Sequence, residues 1–174
     1  VLISGLVINS ILARLLPPED MGVYFLMLSL ILFSSRIAQM GMMRSIVRLI
    51  SESLATNRLA RARSAIIKTF LFVLVGSTLV AAMLSLEAGE YVALGIFNSK
   101  IMAKQMGLVA IWLIVFSWQS MLAEAFRGFS DIRSATIIDR MLSNLLLAPI
   151  LVWVLYSVGH SNIEQILLLT IIAF

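Results

Sequence analysis

The chain has 174 residues, 61% of them hydrophobic and 13% charged, and a net charge of +4. Soluble domains are about one quarter charged, so this composition has too little polar surface for a water-soluble globule and fits a polytopic helical membrane protein. With no cysteine and one histidine, His160, disulfides, thiol catalysis, Cys-ligated metals and a His-clustered metal site are excluded.

The chain begins and ends inside apolar stretches, without an initiator Met or a cleavable signal pattern. It is therefore read as a fragment cut at both ends. Val1 to Ala13 is expected to be the end of a first membrane helix, closed by Arg14 and by Pro17-Pro18. Pro18, Glu19 and Asp20 suit the first turn of the next helix, where proline tolerates unpaired amides and acids face the positive dipole end.

Met21 to Met43 carries a single charge, Arg36, and is long enough for a hydrocarbon core of about 30 Å. Arg44 and Arg48 end it, and the partly amphipathic stretch beyond is expected to stay helical and to break near Thr56-Asn57. Thr69 to Leu86 is uncharged. Glu87 to Lys104 reads as a mixed connector with Gly89, Gly95 and Asn98 as breakers. Gln105 to Ala123 is charge-free, Glu124 to Arg140 is polar, and Met141 to Gly159 is apolar with a kink expected at Pro149. The resulting spans are 1–13 (truncated), 21–43, 66–86, 105–126, 137–159 and 165–174 (truncated), about six transmembrane helices in one domain covering 1–174.

Basic residues sit between the apolar runs and not in a separate domain, which points to topology and anionic headgroups and away from nucleic acid. Nine of them (Arg44, Arg48, Arg58, Arg61, Arg63, Lys68, Arg127, Arg133, Arg140) fall in the connectors after spans two and four, against three (Arg14, Lys100, Lys104) in the others. That asymmetry places the basic connectors and the N-terminus in the cytoplasm.

The segment ARLLPPEDMGVYFLMLSL, followed by QMGMMRSIVRLISE, resembles the start of the Wzx-type polysaccharide and O-antigen flippases of the multidrug/oligosaccharidyl-lipid/polysaccharide exporter superfamily. The similar positions are Arg14, Leu16, Pro18, Glu19, Asp20, Gly22 and Tyr24, then Gly41, Arg44 and Arg48. A second stretch, LAEAFRGFSDIRSATIIDRMLS, looks like the family's fourth-to-fifth helix junction through Arg127, Gly128, Phe129 and Arg133. The resemblance implies an all-α N-terminal lobe of a two-lobed exporter, its second lobe missing from this fragment. It also implies a bacterial or archaeal inner-membrane protein, not an enzyme and without a cofactor, moving undecaprenyl-pyrophosphate-linked oligosaccharide by alternating access, coupled to a proton or sodium.

Several residues are candidates for that mechanism. A charge inside a span costs about 2.5 to 3.5 kcal/mol on insertion scales and should face a cavity or a partner. Arg36, with Ser29 on the same helical face and Gln39 beside it, is a candidate for substrate binding, since a guanidinium offers paired donors to a pyrophosphate. A snorkelling or helix-paired arginine is the plainer alternative. Asn9 and Ser10 could line the same cavity or make interhelical hydrogen bonds. Ser117, Ser120 and Glu124 form a polar stripe. Glu124 and Asp139 are candidate ion-coupling residues, set against a helix-end pair of Glu124 with Arg127 and a capping or interface role for Asp139. The methionines read as apolar filling. Tyr24, Trp112, Trp118, Trp153 and Tyr156 are expected to face lipid or its interface, and His160 an outer turn. A cation-coupled drug antiporter of the same superfamily and a membrane sugar transferase are the alternative functions. The transferase would need clustered acids that the basic connectors lack.

Overall fold

The computed structural model describes residues 2–141, 147–154 and 163–173. Its main elements are α1 (Leu2–Leu15), α2 (Pro18–Gln39), α3 (Met42–Ala55), α4 (Leu59–Ser85), α5 (Glu87–Tyr91), α6 (Lys100–Lys104), α7 (Met106–Gly128), α8 (Ile132–Thr136), α9 (147–154) and α10 (Ile163–Ala173). Two single π-helical turns, Val92–Ile96 and Ile137–Met141, follow α5 and α8. No strand occurs among the described residues. Among the described residues, three helices, α2, α4 and α7, are long and apolar enough to cross a membrane, while α1 and α10 are apolar but shorter. The protein is thus all-α and membrane-embedded in character.

The start of α2 follows local chemistry. Pro17 is extended, Pro18 takes the first helical position, and Glu19 and Asp20 occupy the first turn, where a missing amide costs nothing and a negative charge meets the dipole. The end of α2 differs from the sequence reading. Met40 and Gly41 both adopt left-handed backbone, with φ of 42° and 73°, so the helix stops at Gln39 and not at Met43. A left-handed pair ends a helix however apolar its side chains are. The chain restarts as α3, a separate amphipathic helix that buries Met43, Ile46 and Ile50 and exposes Arg44 and Arg48. It ends at Ala55, where Asn57 takes a positive φ.

The expected connector between spans two and three is therefore shorter than the sequence reading had it. Arg61, Arg63 and Lys68 belong to α4 itself. Of the breakers expected in 87–104, Asn98 has a φ of 49°, whereas Gly89 lies inside α5. A Cβ on Gly89 would fall 1.8 Å from the Leu84 carbonyl oxygen, so it permits a close corner and does not break the helix. Within the expected fifth span, residues 142–146 and 155–159 lie outside the described residues, and with them Ser143, Asn144, Tyr156 and Gly159. His160 is also outside, as is the backbone that a kink at Pro149 would displace.

α7 is the central helix. Half of its most apolar stretch is buried, against 22% for α4, whose exposed Leu71, Val75, Leu79 and Met83 form an apolar band of the kind that lipid would cover. One core joins the start of α2 (Val23, Tyr24, Met27, Ile31), the end of α4 (Ala81, Leu84) and the start of α7 (Val109, Trp112, Leu113) with α1, α9 and α10. A smaller core joins α3 to Val73 of α4 and to Met121 and Ala125 of α7. α2 and α7 thus run parallel and α4 antiparallel to them. Tyr24 and Trp112 are buried in the first core, ring centroids 5.8 Å apart, and do not face lipid as their residue types suggested. Trp153 is exposed. Met27, Met102, Met106 and Met121 are buried within the cores, in keeping with apolar filling.

Asp131 starts α8. Its carboxylate accepts the Ser134 hydroxyl at 2.6 Å and the Ser134 backbone N–H at 3.1 Å, and these bonds hold its pKa below the ordinary aspartate value. The lower value belongs to the folded state. The cap's contribution is therefore complete above the unfolded pKa of about 3.9 and is lost as pH falls through the native value. Thermal melts of Asp131→Ala should show a slightly lower midpoint than the parent at pH 7, with the gap closing as pH is taken below about 4.

Candidate functional site

At the end of the bundle where α2 and α7 finish, a cavity of about 130 Å³ opens between them and the π-helical turn Ile137–Met141. Its polar lining is Ser35, Arg36 and Gln39 from α2, Ser120, Glu124 and Arg127 from α7, and Asp139 from the turn. Of the residues expected to bind substrate or couple an ion, Arg36, Gln39, Glu124 and Asp139 meet here. Ser29 and Asn9 do not. The Ser29 hydroxyl is exposed and donates to the Phe25 carbonyl at 2.6 Å, while Asn9 is exposed on α1. Neither lines the cavity.

Because α2 ends at Gln39, Arg36 stands in its last turn and not deep within a span. A cation there complements the negative end of the helix dipole. Gln39 is buried, as are Ser34 and Ser35 on the same turns. They continue into a polar layer with Ser77 of α4 and Ser117 of α7, both fully buried, which separates the two apolar cores. Of the expected Ser117–Ser120–Glu124 stripe, Ser120 and Glu124 reach the cavity wall. The Ser120 hydroxyl donates back to the Phe116 carbonyl at 2.9 Å.

The residue that sequence reasoning undervalued is Arg127. One Nη donates to Glu124 on its own helix and the other to Asp139 at 2.8 Å. The (i, i+3) spacing disclosed the first pair. The second depends on the reversal at Phe129 to Asp131, where Ser130 takes a φ of 62° and sends the chain back along α7. A further tie supports it, with the Gln119 side-chain amide donating to the Ile138 carbonyl at 2.7 Å. All three charged groups of the triad are about one-quarter to two-fifths exposed. Solvent screening leaves each pair worth little by itself, and the arrangement fixes position more than it stabilises.

The electrostatic result is a divided site. Glu124 and Asp139 are both engaged by Arg127, and among the described residues Arg36 makes no ion pair. An anion entering the cavity would meet Arg36 as its uncommitted cation. No group of three metal-ligating side chains occurs among the described residues. In comparisons with known proteins, no family model matches the chain, and no curated protein or solved structure is detectably similar to it.

Proposed function

We propose that this chain is the N-terminal, six-helix lobe of a Wzx-type flippase that moves a lipid-linked oligosaccharide diphosphate across the bacterial or archaeal inner membrane. The single observation that carries the reading is the placement of Arg36, free of carboxylate partners among the described residues, in a polar cavity at the basic end of a membrane-helix bundle. A guanidinium there suits a diphosphate better than a cationic drug. A cavity of about 130 Å³ is far too small for an oligosaccharide. On this reading it takes the diphosphate, and the glycan passes through space that opens between this lobe and the second.

The nine-to-three distribution of basic residues supports a cytoplasmic position for this end of the bundle. The reading treats the protein as a transporter and not an enzyme. Glu124 and Asp139 are then the acids through which a proton or sodium could act, by competing with Arg127 for a carboxylate. The test is transbilayer movement in vesicles reconstituted with the full reading frame, using undecaprenyl-pyrophosphate-linked oligosaccharide as cargo. Movement of that lipid above protein-free vesicles is the expected result. Uptake of a cationic dye with no movement of the lipid would favour the antiporter alternative, and movement of neither would end the transport reading.

A further inference from the structure

We infer that the N-terminal end of α4 is a binding site for one anionic glycerophospholipid, separate from the cavity at Arg36. α4 has 27 residues, about 40 Å at 1.5 Å per residue, roughly 10 Å more than a hydrocarbon core. All of its charges, Arg61, Arg63 and Lys68, lie in the first ten residues. The excess length therefore stands at headgroup level, with Lys68 at the boundary.

An open groove of about 850 Å³ runs along this part of the helix. Its lining combines exposed Leu59, Ile67 and Phe129 and half-buried Ile66 with two cations, Arg63 and Lys68. Apolar side chains would be misplaced among water and headgroups unless an acyl chain or its glycerol end covered them. The groove continues into the apolar band Leu71, Val75, Leu79 and Met83, along which the rest of an acyl chain can lie.

Charge decides which lipid. No acid lines the groove, and neither Arg63 nor Lys68 takes part in an ion pair among the described residues. Arg61, by contrast, feels Glu52 of α3. Two uncompensated cations above an apolar floor complement a phosphate with its chains below, and they leave a zwitterionic headgroup's ammonium without a carboxylate.

The experiment is native mass spectrometry of the full purified chain titrated with phosphatidylglycerol and, separately, phosphatidylcholine. One phosphatidylglycerol is expected to be retained in preference to phosphatidylcholine. The R63Q/K68Q variant should lose roughly five-fold in affinity per cation removed, and R14Q, at the opposite end of the bundle, should match the parent. Equal retention of the two lipids, or anionic binding unmoved by R63Q/K68Q, would overturn the proposal. So would a chain that is dimeric and lipid-free, since a second copy would then cover the groove. A readout that does not depend on those variants is Phe129→Trp. Its fluorescence, taken over the parent's, should be quenched more by brominated phosphatidylglycerol than by brominated phosphatidylcholine, and equal quenching counts against the site.

Discussion

Replacing Gly76 by alanine is expected to destabilise the folded bundle by roughly 3 kcal/mol, and replacing it by valine to leave no monodisperse protein. A Cβ at position 76 would lie 2.3 Å from the Ala38 carbonyl oxygen, well under the 3.0 Å that real Cβ atoms keep. The obstacle is backbone, so no rotamer change can relieve it, and the two helices would have to separate. Helices in a membrane gain no hydrophobic free energy from meeting, because lipid is as apolar as their side chains. Close backbone approach through small residues supplies the association instead. Ser34, Ser35 and Ala38 on α2 with Gly76 and Ser77 on α4 form such a crossing, and the buried polar layer rests on it. Gly22 is the control, since a Cβ there meets nothing within 4 Å. Gly22→Ala should be neutral or slightly stabilising in thermal melts followed by size-exclusion in mild detergent. Ala38→Gly should not rescue Gly76→Ala, because the clash is with the carbonyl oxygen. Rescue would mean that a side-chain contact, and not backbone approach, sets the crossing.

The parts of this architecture that were legible in the sequence are those written as length and hydropathy. α2, α4 and α7 were visible as apolar runs, and the Pro17-Pro18-Glu19-Asp20 corner announced its own start because proline and acids have few other good positions. What the sequence concealed was geometry carried by single backbone angles. Counting apolar residues runs through Gln39-Met40-Gly41 to Met43, while the left-handed pair at Met40 and Gly41 ends the helix and brings Arg36 to its last turn. The same limit explains Arg127. Its pair with Glu124 follows from helical spacing, but its pair with Asp139 spans twelve residues and requires the reversal at Ser130. Ser29 was grouped with Arg36 by shared helical face, yet its hydroxyl is satisfied by its own helix and faces outward. Tyr24 and Trp112 failed differently. The preference of aromatics for the membrane interface is a property of residue type, and here ring packing between α2 and α7 overrides it.

The geometry of Arg36 allows its helix-end role and its proposed ligand-binding role to be separated by experiment. As a cation in the last turn of α2 it interacts with the helix dipole, a contribution of about 0.3 to 1 kcal/mol. Arg36→Ala should therefore lower thermal stability only a little, and Arg36→Lys hardly at all, because lysine keeps the charge. If the proposed flippase activity holds, export of lipid-linked oligosaccharide should respond on a different scale. At matched expression Arg36→Ala is expected to lose at least about ten-fold, the order of one charge-assisted hydrogen bond to a phosphate. Arg36→Lys should recover part of that loss and not all of it, because an ammonium restores the positive point charge but not the paired donors that engage a diphosphate. The discriminating feature is this ordering, alanine below lysine below arginine in export while stability stays nearly level. Should both variants export normally, Arg36 serves the end of α2 and nothing more. Were export to fall only in proportion to the amount of folded protein, the helix-dipole role would account for the whole effect. In either case the diphosphate would have to be met elsewhere, and Arg127 would be the next cation to test, since it can turn to a ligand only by releasing Glu124 or Asp139.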